Sequence, residues 1–394
     1  MLITLIFLLV ATAHAVNLLF VLTSLVHSKA AGVREWTRGN GVAVLALVLI
    51  AGRDLTPDIL SFEVANGLLM ITLGLIYAGF RRHLSLPVPT VPLVLAGVLA
   101  LGGFVFFHYV VDSAALRILS VSIYHAAVSF AIVATIPPTS DPYLRYPFVF
   151  TRVAALALGA ANTLRGALFA LQSAQPAASI DFATWNLAFL ACGTLAFPAL
   201  TLGAVMMANA QVRREAAYAA DHDPLTDAWT RRAFISFAEQ AHARAERRYN
   251  PLSLLVIDAD HVKRINDTHG HALGDRVLRD IVMHTQEVIR KVDYCGRLGG
   301  GEFAVLLPDA TQQTAMEMAA CLRTALERSL ALGPAAVPVA YTVSIGVATL
   351  ALGETLAGLM ARADAALHAA KAAGRNRVVS APLPPRVERA SEPA

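Results

Sequence analysis

Hydropathy divides this chain before any single motif does. Seven apolar segments fall at about residues 2–26, 40–52, 63–80, 91–111, 115–136, 148–171 and 183–208, whereas most charged residues lie beyond Val212. A bilayer core takes ~20 residues of helix, so the stretch at 40–52 is short and the others reach or approach a span. Over the whole chain 56% of residues are hydrophobic and 15% charged, too apolar for a soluble protein and unevenly placed. The reading is an all-α, seven-span membrane domain over residues 1–208, followed by a soluble half.

Loop charges set the orientation. Lys29, Arg34 and Arg38 lie in the first loop, Arg81 and Arg82 in the third, Arg145 in the fifth, and Arg213 and Arg214 after the last span. The second and fourth loops hold only Arg53 and Arg117, and the sixth has no Lys or Arg. The positive-inside rule then puts the N-terminus outside and the C-terminal half in the cytoplasm. Ala13-His14-Ala15 resembles a cleavage site, but no positive n-region precedes it; cleavage would leave six spans and the same cytoplasmic end. His108, His125, Arg152, Asn162, Arg165 and Asn186 fall within apolar segments, either as interhelical contacts or as a ligand or signal site.

The net charge of +4 comes with no basic stripe interleaved with aromatics, which argues against nucleic-acid binding. Cys192, Cys295 and Cys321 are scattered without metal-ligand spacing. Residues 209–222 lack Gly and Pro and extend the last span as a helical linker able to pair with its copy. After the break at Asp223-Pro224, helices are expected at about 230–247, 273–291, 312–332 and 356–373. Strands are expected at 252–257, on either side of a glycine hairpin at 299–301, at 339–349 and at 377–379. That alternation is an α/β domain with a mixed sheet over residues 223–381, and the proline-rich tail 382–394 reads as disordered.

Chemistry-bearing residues gather in this half. Asp258 ends a buried strand, a usual place for ligand groups in α/β proteins. Lys263, Lys371 and Arg375 offer cations for phosphates, and Asn266 with Asp275 offers an amide and a carboxylate for the donor edge of a guanine. Gly299 and Gly300 at a hairpin tip let a ligand approach the backbone.

Asp223-Pro224-Leu225-Thr226-Asp227, Asp258 through Asp267, Gly270-His271, Gly274-Asp275, Arg297 through Phe303, Ser344 through Ala348, and Ala363-Asp364 through Asn376 together resemble the GGDEF family in every motif and in order. The resemblance covers about residues 221–380. It implies a diguanylate cyclase fold in which a homodimer holds two GTP and condenses them into cyclic di-GMP and two pyrophosphates; the membrane half resembles no family, and its spans and loop charges read as an anchor in the bacterial inner membrane. The resemblance further implies that Asp258 binds Mg²⁺, or Mn²⁺, that Lys263, Lys371 and Arg375 hold phosphates, and that Asn266 and Asp275 recognise guanine. Arg290-Lys291-Val292-Asp293 matches the family's inhibitory RxxD site, with Arg290 and Asp293 as product-binding residues.

One position departs. The family motif has an acidic third residue as metal ligand, and Gly301 stands there, leaving Asp258 and Glu302. Neighbours on a strand face opposite ways, so Glu302 is expected to need local rearrangement to take that place. Two functions stay open: a membrane-anchored diguanylate cyclase, or a catalytically inactive receptor that binds cyclic di-GMP through Arg290 and Asp293 or GTP at the degenerate site.

Overall fold

The computed structural model describes residues 2–25, 30–53, 55–174, 182–332 and 338–383; the tail from 384 on lies outside them. The chain divides into two compact units, Met1–Glu215 and Ala216–Ala394.

The first unit is helical: α1 Leu2–Leu25, α2 Val33–Ala51, α3 Ala65–His83, α4 Thr90–Tyr109, α5 Ala114–Thr135, α6 Arg145–Ala174, and the start of α7, Phe182–Asp221. A π-helical turn, Leu60–Val64, leads into α3. Each apolar segment falls on one helix, and the expected seven spans are met in part. Among the described residues four helices, at 60–83, 90–109, 114–135 and 145–172, are long and apolar enough to cross a membrane. The short segment at 40–52 belongs to a longer helix because polar residues join its first turns. Glu35 is buried in an ion pair with Arg82, and Trp36 packs on Phe80. Pairing hides a charge that hydropathy counts as exposed.

In the second unit a six-stranded sheet has the order β1-β3-β4-β2-β7-β8. The strands are β1 Trp229–Thr230, β2 Leu252–Ala259, β3 Tyr294–Gly299, β4 Glu302–Pro308, β7 Val343–Thr349 and β8 Val378–Ser380. β5, Leu330–Leu332, and β6, Pro338–Ala340, form a separate ribbon. Pairings β1–β3 and β7–β8 are parallel and the rest antiparallel, so the sheet is mixed as expected. Its central strands are buried on both faces, which is why they read as unbroken apolar runs. Leu255, Ile257, Phe303, Val305, Val343 and Ile345 face α10, His271–Val288, and α11, Gln312–Arg328. Leu254, Val256, Ala304 and Leu306 face α8, Arg231–Arg248, and α12, Leu356–Ala372.

Local signals start the helices. The hydroxyls of Thr230, Thr311 and Thr355 accept from the backbone N–H three residues on, capping α8, α11 and α12. A further helix, α9 at Val262–His269, was not expected; it is eight residues long and buries only Ile265, too little to leave a periodic pattern.

Candidate functional site

Register decides what the glycine hairpin presents. In the β2–β4 ladder Asp258 stands opposite Glu302, and directly opposed residues point to the same face with Cβ atoms ~5 Å apart. On the other side of β4, a β-bulge between Arg297 and Gly299 pairs Gly299 with Glu302. The expectation that Glu302 points away from the strand-end carboxylate is therefore overturned: Asp258 and Glu302 share a face, on the α12 side. Lys371 of α12 places Nζ 3.0 Å from Asp258 Oδ2 and supplies one positive charge.

Gly300, at φ 49°, holds the left-handed turn at the tip. Gly301 lies outside that region, and the nearest atoms to a Cβ added there would be Val262 Cγ1 at 3.4 Å, Ala259 Cβ at 3.6 Å and Ala259 N at 4.0 Å, ordinary contacts. The turn thus has no need of glycine at 301. Gly301 contributes through its backbone, accepting from the Ala259 N–H at 3.2 Å.

Arg297 braces the tip. Its Nε and Nη2 donate to Gly300 O at 3.1 and 2.8 Å, while Nη1 donates to Asp223 Oδ1 at 2.9 Å. Asp223 Oδ1 also accepts from the N–H and hydroxyl of Thr226, so the Asp223–Asp227 turn and the hairpin form one hydrogen-bonded unit.

Lys263 and Asn266 lie on α9, with Lys263 exposed. Asn266 Oδ1 is buried without a hydrogen-bond partner, and a Cβ at Gly274 would collide with it. An unpaired buried acceptor is costly, and a ligand N–H would relieve it. Asp275 is half-buried in the first turns of α10, one residue beyond that glycine. Arg375 is exposed in a left-handed conformation after α12. The structure thus joins Asp258, Glu302 and Lys371 as one group and Asn266 with the start of α10 as another. Among the described residues no hydrogen bond or ion pair ties the side chain of Lys263 or Arg375 to either group.

Arg290 and Asp293 close on each other. Arg290 Nε and Nη2 donate to the two Asp293 oxygens at 3.0 and 2.7 Å, the Arg290 N–H donates to Asp293 Oδ2 at 2.8 Å, and the Asp293 side chain is fully buried. Asp293 therefore positions Arg290, which lines an open cavity of about 330 Å³ with His222, Trp229 and Lys291.

The model of the family described as "Diguanylate cyclase, GGDEF domain" matches residues 220–377. Residues 220–377 are a GGDEF domain. The chain is 38% identical over 164 residues to Diguanylate cyclase DgcM of Escherichia coli (strain K12), covering 42% of this chain and 39% of that protein. It is 39% identical over 161 residues to Response regulator PleD of Caulobacter vibrioides (strain NA1000 / CB15N), covering 40% and 35%. The chain thus spans well under half the length of these relatives. The solved GGDEF domain of DgcB from Caulobacter crescentus in complex with c-di-GMP is 35% identical, with a TM-score of 0.40, over 41% of this chain and 96% of that one.

Asp260 is a residue of the GGDEF domain for which the sequence suggested no role. Asp260, 4% exposed, accepts from Thr342 Oγ1 and Ser344 Oγ at 2.8 Å and from the Asn376 N–H at 3.0 Å. It ties the end of β2 to the loop carrying Arg375. Its buried place two residues beyond Asp258 was the available signal.

Among the described residues no cluster of three or more His, Cys, Asp and Glu side chains gathers. The donor set at Asp258 and Glu302 still fits Mg²⁺, which is commonly held by one or two carboxylates with water and substrate phosphates completing its shell. Burial pushes the Asp258 carboxyl above its ordinary range, against the opposing pull of Lys371. A proton then competes with a cation at higher pH than at an ordinary Asp, near ~3.9. Mn²⁺ bound to the full chain well below saturation, followed by electron paramagnetic resonance, is expected to be released on acidification with a midpoint above that value. A midpoint at or below it contradicts the assignment.

Proposed function

We propose that this chain is a membrane-anchored GGDEF protein of cyclic di-GMP signalling that condenses two GTP into cyclic di-GMP and two pyrophosphates, at a rate held down by Gly301. The observation that supports it best is the facing of Asp258 and Glu302 across β2 and β4 with Lys371 on Asp258. Residues 1–208 form the membrane domain and carry a sensory role, with seven spans, the N-terminus outside and the GGDEF domain of residues 223–381 in the cytoplasm at the inner membrane. Residues 209–222 link the two.

Asn266 accepts from a guanine N–H through its orphaned oxygen, and Asp275 accepts from the same edge. The tip at Gly299 and Gly300 admits the phosphates, and Lys263, Lys371 and Arg375 neutralise them. Mg²⁺, or Mn²⁺, held by Asp258 and Glu302 supplies charge stabilisation for the oxygens that attack and leave. Each ribose 3′-hydroxyl forms a bond to the partner's α-phosphorus and loses its proton, and the bond to pyrophosphate breaks. One domain holds one GTP, so a homodimer is needed to bring both reactants together.

A second reading, a receptor for cyclic di-GMP, is favoured by the preformed Arg290–Asp293 fork beside an open cavity. Equilibrium binding to the full chain in detergent separates the two sites. Asn266→Ala is expected to weaken GTP binding about tenfold, the ~1.4 kcal/mol of one lost hydrogen bond, without affecting cyclic di-GMP. Arg290→Ala should abolish cyclic di-GMP binding and leave GTP binding intact. Equal loss of both ligands in either variant contradicts the assignment.

A further inference from the structure

The helical unit contains an elongated apolar groove of about 560 Å³ between α3, α4 and α5, independent of the nucleotide site. Along α3 it runs from Gly67 to Arg82, ~22 Å at ~1.5 Å per residue. Glycines set back its walls: a Cβ at Gly67 would stand 3.4 Å from Leu101 Cδ2, and one at Gly97 3.7 Å from the Tyr124 ring. The outer wall, α4, is only 6% buried, so the groove opens toward the surface that faces lipid if these helices cross a membrane.

Charge is confined to one end. Glu35, Arg38 and Arg82 line the mouth, and the buried Glu35 carboxylate is already paired with Arg82. Arg38 is exposed, leaving the mouth with one net positive charge. Arg38 lies in the first turns of α2 and Arg82 in the last turn of α3, on the positively charged side of the bundle, where long basic side chains reach from apolar walls toward headgroups.

We infer that this groove binds a single-chain anionic amphiphile, a long-chain fatty acid, with its carboxylate at Arg38 and Arg82 and its acyl chain along α3. The length and apolar walls suit one chain, and the mouth supplies the complementary charge. The inference rests on the membrane reading of these helices. Recovery of the chain in the soluble fraction without detergent overturns that reading by itself, whereas groove labelling is scored separately.

The test is photolabelling of the full chain, in neutral detergent, with palmitate carrying a terminal diazirine. Labelling should saturate, concentrate on α3–α5, and fall at least about tenfold with excess palmitate but not with hexadecanol. Gly97→Leu fills the groove and should remove the label, and Arg38→Gln, on an exposed side chain, should weaken apparent affinity about tenfold. Unsaturable label, equal label on α6, or indifference to both variants overturns the proposal. Competition by phosphatidylglycerol vesicles in place of palmitate overturns the single-chain assignment. An unchanged melting temperature in Arg38→Gln keeps its effect distinct from misfolding.

Discussion

Gly301→Asp is expected to raise cyclic di-GMP production by the full chain about a hundredfold to ten-thousandfold. The backbone at 301 is not in the left-handed region, and a Cβ there makes only ordinary contacts with Val262 and Ala259, so the substitution is accommodated without strain. The new carboxylate starts beside Ala259 N, next in sequence to Asp258, at the strand ends where a cation would sit. One more charged ligand in a phosphoryl-transfer site contributes several kcal/mol of transition-state stabilisation, and each ~1.4 kcal/mol is tenfold in rate. Initial rates of product formation at saturating GTP and Mg²⁺ read the effect. An unchanged rate would mean that the missing carboxylate does not limit the reaction.

Glu302→Gln carries the second large effect, in the opposite direction. It keeps size and hydrogen-bonding shape and removes the charge facing Asp258 in the ladder. If Glu302 is half of the cation-holding pair, product formation falls by about a hundredfold or more, and Mn²⁺ affinity falls with it. A variant that keeps both would return Glu302 to the role first expected of it, a residue pointing away from the site.

That expectation failed for a specific reason. In a strand, a one-residue slip moves every side chain to the other face. Gly301 lies in the turn, before β4 begins at Glu302, so the alternation used to set Glu302 apart does not reach it. The β2–β4 register puts Glu302 opposite Asp258, and that pairing leaves no mark in a run of three glycines. The same run hides which glycines are needed: Gly300 is held at positive φ, and Gly301 is not.

Other elements were legible because their signals are local. The buried strand expected at 252–257 and found at Leu252–Ala259, and the mixed sheet, follow from apolar runs and turn signals that need no partner to be recognised. Roles that depend on distant partners were not legible. Asp260 bridges β2 to Thr342, Ser344 and Asn376, more than eighty residues away, and Arg297 braces Gly300 only because Asp223 fixes its other end. Asp293 was expected as a product-binding residue, and its burial beneath Arg290 makes it the residue that aims the guanidinium. In the helical unit, Glu35 and Trp36 extend α2 beyond its apolar segment through contacts with Arg82 and Phe80 that hydropathy cannot register.

The most direct test is product formation by the purified full chain in detergent, incubated with GTP and Mg²⁺ and compared with Asp258→Ala under the same conditions. Slow accumulation of cyclic di-GMP by the unaltered chain, absent in Asp258→Ala, is the predicted result. No cyclic di-GMP above the Asp258→Ala background, from a preparation that still binds GTP, would contradict the cyclase reading and leave the receptor.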